Sequence, residues 1–231
     1  MPNYNGYQTF KNWDHPDPLE RANLFAEFRG ELQGLTLEGK RVLEIGFGRG
    51  YFLEYARDEG AEVIGTEFIP ELVAKNRAAG FNVHLGPLEN IPDLTRPEAF
   101  DLIIAFDVLE HMDLQTLKRN LEIFSIMLVS GGHLLARFPN GQSPFGVVPQ
   151  NGDVTHVTAL SVEKIKQLTT MSNLFLVRSG NAFRERNGSL IKRVRKSLAY
   201  AARDFIEVVL GYVYFRGRIP LDPVCTVVLK K

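Results

Sequence analysis

Along this chain, short apolar runs of strand length alternate with stretches in which apolar residues recur every three or four positions. The runs at 41–45 (RVLEI), 62–66, 82–86, 100–106 and 132–138 read as buried strands, and 50–58, 69–79 and 114–129 read as helices between them. Such alternation predicts an α/β fold with a doubly wound parallel sheet. Further on, Ser161 is placed to cap a helix over 161–171, and 173–179 and 224–229 (VCTVVL) read as strands six and seven.

Before the first strand, residues 1–15 are rich in Asn, Tyr and Gly, with Trp13 near their end, and read as an irregular arm. Asp17-Pro18-Leu19-Glu20 then supplies an N-cap, a first-turn proline and a glutamate at capping-box spacing. A helix is expected to about Gln33, with Leu24, Phe25, Phe28 and Leu32 on its apolar face; periodicity alone leaves open whether it packs on the sheet or covers a ligand. Between strands six and seven, Ile191, Val194, Leu198, Phe205, Val209, Tyr212 and Val213 fit one or two helices, with Lys192, Arg193, Arg195, Lys196 and Arg203 largely opposite. From 140 to 158 runs a polar loop rich in Gly and Pro, and loops of that length are usually functional.

At 231 residues and 45% hydrophobic, the chain is long enough for one sizeable core, and 1–231 is expected to form one domain, with 1–34 as arm and helix and 187–218 as a helical basic insert. Zero formal net charge argues against a general nucleic-acid binder. The charge is uneven, however: 187–218 carries seven Lys/Arg against two Asp/Glu, 7 − 2 = +5, and the remainder −5. That insert reads either as ordinary packing or as a surface that docks on a membrane, a lipid-linked substrate or a partner subunit, a second copy included. A lone cysteine excludes an internal disulfide, and no apolar run approaches a membrane span. The N-terminus lacks signal-peptide features, so a cytoplasmic location is expected, with the insert allowing a peripheral place on the inner membrane face.

Chemistry concentrates after the first strand. Gly46, Gly48 and Gly50 recur at every second position before a helix, a turn that brings backbone close to a ligand and points N–H groups at it. About twenty residues on, Glu67 closes the second strand, where an acidic side chain accepts hydrogen bonds from ribose hydroxyls. Glu44 separates two nucleoside readings. A pyrophosphate would be repelled by this extra carboxylate, and the glycine spacing is wrong for a dinucleotide, whereas an ammonium group would be welcome. On Leu43-Glu44-Ile45-Gly46-Phe47-Gly48-Arg49-Gly50 the sequence resembles the class I S-adenosylmethionine (SAM)-dependent methyltransferases.

That resemblance implies a seven-stranded Rossmann-like sheet with an antiparallel last strand, here with a helical insert between strands six and seven. It implies SAM as cofactor, S-adenosylhomocysteine (SAH) as product, and Glu44, Gly46, Gly48, Gly50, Glu67 and Phe68 around them. Where the family usually carries an adenine-binding aspartate, this chain has Pro87, so adenine falls to Glu89 or to backbone around Leu88. Asp107-Val108-Leu109-Glu110-His111 resembles the fourth motif of the small-metabolite and saccharide branches and adds Asp107 to the cofactor set. Glu110 alone reads equally well as a cap of the next helix. His111 and His156 are the candidate bases, with Asp153 as orienting partner; no metal is expected. The implied activity is methyl transfer to an oxygen of a small molecule or saccharide, a surface-polysaccharide or lipid-linked sugar among them. N-methylation of a small metabolite and a catalytically silent nucleoside-binding scaffold remain as alternatives.

Overall fold

A computed structural model describes residues 6–11, 13, 18–91 and 94–231, at Met171 by its backbone alone. In chain order the elements are α1 (Tyr7–Phe10), α2 (Pro18–Glu31), β1 (Arg41–Ile45), α3 (Tyr51–Asp58), β2 (Glu62–Glu67), α4 (Pro70–Ala78), β3 (Asn82–Leu85), β4 (Phe100–Phe106), α5 (Leu114–Met127), β5 (Leu128–Pro139), α6 (Val147–Asn151), α7 (Val162–Leu168), β6 (Phe175–Asn181), α8 (Leu190–Leu210) and β7 (Val224–Lys230). The proposed cap Asp17 lies outside the described residues.

The seven strands form one sheet in the order β3-β2-β1-β4-β5-β7-β6, with β7 antiparallel to both neighbours. This is the expected seven-stranded α/β architecture with its antiparallel last strand. From β1 the chain winds outward to β2 and β3, then crosses back to start β4 on the other side of β1. The crevice beyond the carboxyl ends of β1 and β4 is therefore the place where such a sheet admits a ligand.

Burial explains the strands. Val42, Leu43, Ile103 and Ile104 have no exposed surface, because helices cover both sheet faces. One face packs under α5 and α7 through Leu117, Leu121, Phe124 and Ile165; the other packs under α2 and α3 through Phe28, Leu32, Phe52 and Tyr55. Thus α2 packs on the sheet as one of its two readings required, while Glu20, Leu24 and Phe28 also reach the crevice. Cys225 is buried in this core, where burial pushes its thiol up to about 12.

Three expectations change. Strand five begins earlier than position 132: Leu128 pairs with Phe100 and His133 with Leu102, so Ser130-Gly131-Gly132 is a bulge inside the ladder. The polar loop after β5 is not structureless, since it folds α6 and a 3-10 turn at Pro144–Gly146. Finally, 187–218 forms a single helix, α8, continued by a π turn at Gly211–Phe215, and the apolar residues of that helix face solvent. Ordinary packing does not account for it.

Candidate active site

A crevice of about 1550 Å³ opens where the sheet order reverses, and it brings together every site residue read from the sequence except Gly50: Glu44, Gly46, Gly48, Glu67, Phe68, Leu88, Glu89, Asp107, His111, Asp153 and His156 all line it. Gly50 stands behind the wall. A Cβ there would come within 2.1 Å of Asn76 Oδ1, at φ +83, so this glycine serves helix packing and not ligand approach.

Glu44 ends β1 buried, and its Oε2 has no hydrogen-bond partner among the described residues. Burial, then the nearby Glu67 carboxylate, hold its pKa well above the ordinary range. An unsatisfied carboxylate in such a place is costly unless a donor joins it, and a cationic ligand group supplies that donor.

Glu67 departs from a purely ligand-facing role. Its Oε2 accepts from Gly48 N–H at 2.9 Å, and its Oε1 accepts from Phe68 N–H at 2.6 Å and Ile69 N–H at 3.2 Å. Here the N–H of Gly48, expected to await a ligand, is met by the chain's own carboxylate. The glycine turn is thus anchored to β2 from within, with an internal anion near the start of α3. A carboxylate has about four acceptor positions, so three backbone bonds leave room for one ribose hydroxyl. Burial raises the Glu67 pKa against the pull of those bonds.

Beside the turn, Trp13 caps the glycines: a Cβ on Gly48 would meet the Trp13 ring at 3.3 Å. Leu88 is buried at the start of a 3-10 turn, while Glu89 is exposed at the rim, 3.9 Å from Arg119. Asp107 adopts φ +57 and faces the crevice, but Arg137 chelates its carboxylate through Nε and Nη2. Burial disfavours the guanidinium charge, yet Asp107 and Glu27 more than offset it and raise the Arg137 pKa.

At the other end lie the two histidines, ring centroids 4.7 Å apart. His111 Nδ1 is 3.2 Å from Thr155 O, and His156 Nδ1 is 3.2 Å from Gln150 O. Each carbonyl selects the tautomer that donates from Nδ1 and carries its lone pair on Nε2. His156 Nε2 is turned toward Glu110 Oε1 and Asp153 Oδ2, both at 3.8 Å. Burial, then His156, depress the His111 pKa below its ordinary value of 6.5.

Asp153 is not a hydrogen-bond partner of either histidine. Its carboxylate accepts from Thr155 N and Oγ1 and from Tyr7 OH, and it pairs with Lys11 at 2.9 Å. Burial works to raise its pKa, but Thr155 and Lys11 outweigh that and hold the carboxyl below the usual range. The orienting partners of the rings are backbone carbonyls instead.

Glu110 is no cap either: Asp113 caps α5, accepting from Thr116 N–H at 2.7 Å. Glu110 is 0% exposed, and neither carboxylate oxygen has a hydrogen-bond partner among the described residues. Burial and the Asp107 charge raise its pKa well above the ordinary range. Its backbone O accepts from Val157 and Thr158 N–H, fixing the loop that carries His156. Glu110, His111 and His156 place donor atoms within 4.8 Å of one another, a spacing that would also suit one cation.

Sequence reasoning missed Tyr7, Lys11 and Arg137 as site residues. Arg137 carried a signal, a lone arginine in the apolar run HLLARF. Tyr7 and Lys11 carried none, because nothing local ties them to the distant loop of Asp153, 146 positions beyond Tyr7.

A family profile described as "Methyltransferase domain" matches residues 19–178. Among curated proteins, a ubiquinone biosynthesis O-methyltransferase of Xylella fastidiosa (strain M23) is 26% identical over 156 residues, 56% of this chain and 63% of the relative. The chain thus matches under two thirds of that relative's length. Among solved structures, a SAM-dependent methyltransferase from Archaeoglobus fulgidus superposes with a TM-score of 0.65 at 21% identity, over 91% of this chain and 94% of the other. Another, from Mesorhizobium loti, gives 0.62 at 17% identity, over 89% and 98%.

Proposed function

Because the chain belongs to the methyltransferase-domain family of SAM-dependent enzymes, we propose that it moves the methyl group of SAM to a hydroxyl oxygen of a small molecule. A saccharide or lipid-linked sugar is the first class to test. In this reading residues 1–231 act as one domain, with 1–34 and 187–218 as its additions.

The observation that carries the proposal is the buried Glu44 carboxylate beside the glycine turn, whose Oε2 has no hydrogen-bond partner among the described residues, in the same crevice as His111. Glu44 would hold the ammonium of the cofactor's amino acid tail, Glu67 a ribose hydroxyl, and Phe68, Leu88 and Glu89 the adenosine end. When bound, the cofactor supplies a methyl group made electrophilic by its cationic sulfur. The protein's work is then alignment, worth on the order of 7–11 kcal/mol, and removal of one proton. His111 Nε2 takes that proton from the acceptor hydroxyl, its low pKa keeping it unprotonated near neutrality. Tyr7 and Lys11, held over the crevice by Asp153, and Trp13, packed edge-on against Tyr7, exclude water.

Incubating the protein with SAM and a panel of nucleotide sugars, polymeric sugars and small amines, then reading methylated products by mass spectrometry, tests this. An O-methylated sugar with stoichiometric SAH supports the proposal. Methylation of amines alone moves it to the N-methyl reading, and SAH binding without transfer to any acceptor leaves the scaffold. The curated relatives' activity, O-methylation in ubiquinone biosynthesis, motivates a quinone-precursor arm in the panel.

A further inference from the structure

Helix α8 is inside out. At about 100° per residue, Ile191, Val194, Leu198, Phe205 and Val209 fall on one stripe, continued by Tyr212. In a helix beside a sheet that stripe is normally the buried one. Here Ile191 is 82% exposed, Leu198 68%, Phe205 69% and Tyr212 79%.

The polar stripe faces the protein instead. Glu207, 3% exposed, accepts from Asn181 Nδ2 and Arg218 Nε at 2.6 Å each and from Leu221 N–H at 3.1 Å. Arg184 donates to Asp204 at 2.8 Å and also pairs with Asp222. Lys196 pairs with Glu185 at 2.6 Å, and Tyr200 OH donates to Glu185 O at 2.8 Å. Both acidic residues of α8 are thus consumed by inward pairs. Lys196, expected on a free basic face, is consumed with them, whereas Lys192, Arg193 and Arg195 have no ion-pair partner among the described residues. What α8 offers outward is an apolar stripe flanked by uncompensated positive charge, with Tyr212, Tyr214 and Phe215 exposed at its end.

We propose that α8 docks the protein on an anionic lipid surface, lying in the interface with this stripe inserted and Lys192 and Arg195, on its flank, against the headgroups. Charge complementarity decides for lipid over a second copy. Packed in parallel, two α8 stripes would bring basic flanks together; packed antiparallel, each basic end would face a partner end whose Asp204 and Glu207 are engaged by inward pairs and do not compensate. Topology gives the docking a purpose. The insert leaves the sheet after Asn181 and returns at Val224, which pairs with Pro139, and both Pro139 and Val224 line the crevice. Docking would therefore tether the protein through a segment that begins and ends beside the crevice, which suits an acceptor carrying a lipid tail. The docking itself stands apart from the acceptor reading, because it is measured without turnover.

The test is co-sedimentation of the full chain with vesicles of phosphatidylglycerol and phosphatidylcholine in equal parts, against pure phosphatidylcholine. The variants are Lys192→Gln/Arg195→Gln and Ile191→Glu/Leu198→Glu/Phe205→Glu. Each basic residue near an anionic surface is worth about fivefold in partitioning, so the first variant should bind about 25-fold more weakly. The second should not pellet at all. All substituted positions are exposed, and unchanged circular dichroism and SAH affinity in both variants confirm that fold and crevice are intact. Raising the salt from about 0.01 M to about 1 M, which shortens the screening length from about 30 Å to about 3 Å, should release the wild type. A wild type that stays in the supernatant at low salt overturns the proposal. If it also sediments as a dimer that the Ile191→Glu/Leu198→Glu/Phe205→Glu variant breaks, the stripe is a self-interface instead.

Discussion

Replacing His111 by alanine is expected to lower kcat by about 10² to 10⁴ while SAH affinity stays within about twofold of wild type, the signature of a lost base and an intact cofactor site. His111 is singled out over His156 by direction. Both rings line the crevice, but His156 is nearly enclosed with its Nε2 turned toward the Glu110 and Asp153 carboxylates, whereas His111 has the depressed pKa. Since the base acts unprotonated, turnover should rise with pH through that depressed pKa and reach its plateau below the pH an ordinary histidine would need. The same shift has a sign for folding. The folded state holds the proton less well than the unfolded chain, so His111 is neutral to stability above about 6.5 and destabilises as pH falls from there through the folded value. Full turnover by His111→Ala, with loss in His156→Ala, would transfer the role. EDTA treatment belongs beside these assays, because the histidines and Glu110 are close enough to share a cation.

Glu67→Ala should act on both stability and binding. The substitution removes a ribose acceptor and strands the N–H groups of Gly48, Phe68 and Ile69. Losing the ribose bond alone costs about 1–3 kcal/mol, a roughly tenfold to hundredfold drop in SAH affinity, and a loosened glycine turn adds to it. Each stranded donor that water cannot reach costs a further 1–3 kcal/mol, roughly, so the melting temperature should fall visibly. A variant with unchanged affinity and unchanged melting would remove Glu67 from both roles.

The parts of this site legible in the sequence were the local ones. Glu44, the glycine turn and Glu67 sit within one β–α–β unit, where strand length and turn chemistry fix which side chains reach the sheet edge. Asp107 to His111 follow a strand by the same logic. What could not be read were partners supplied from far along the chain. The Arg137 chelate on Asp107 needs the register of β4 against β5, and the Lys11 and Tyr7 bonds to Asp153 need the arm folded over the crevice. Periodicity also gave α8 its two faces but not their orientation. Burying the apolar stripe was the default, and it lost because Arg184, Asn181 and Arg218 offer the acidic stripe strong inward partners.

The central claim is that Glu44 and the glycine turn form the SAM site, and it is tested most directly by calorimetric titration of SAH into wild type and Glu44→Gln. Glutamine keeps the shape of the side chain and removes only its ability to carry charge. A charge-assisted bond to the ligand ammonium is worth about 1.5–3 kcal/mol. The account therefore predicts saturable binding by the wild type, weakened roughly tenfold to a hundredfold in the variant, with wild-type affinity rising with pH as the raised Glu44 pKa is passed. Equal affinity of the two proteins at all pH values, or no binding by the wild type, would contradict it.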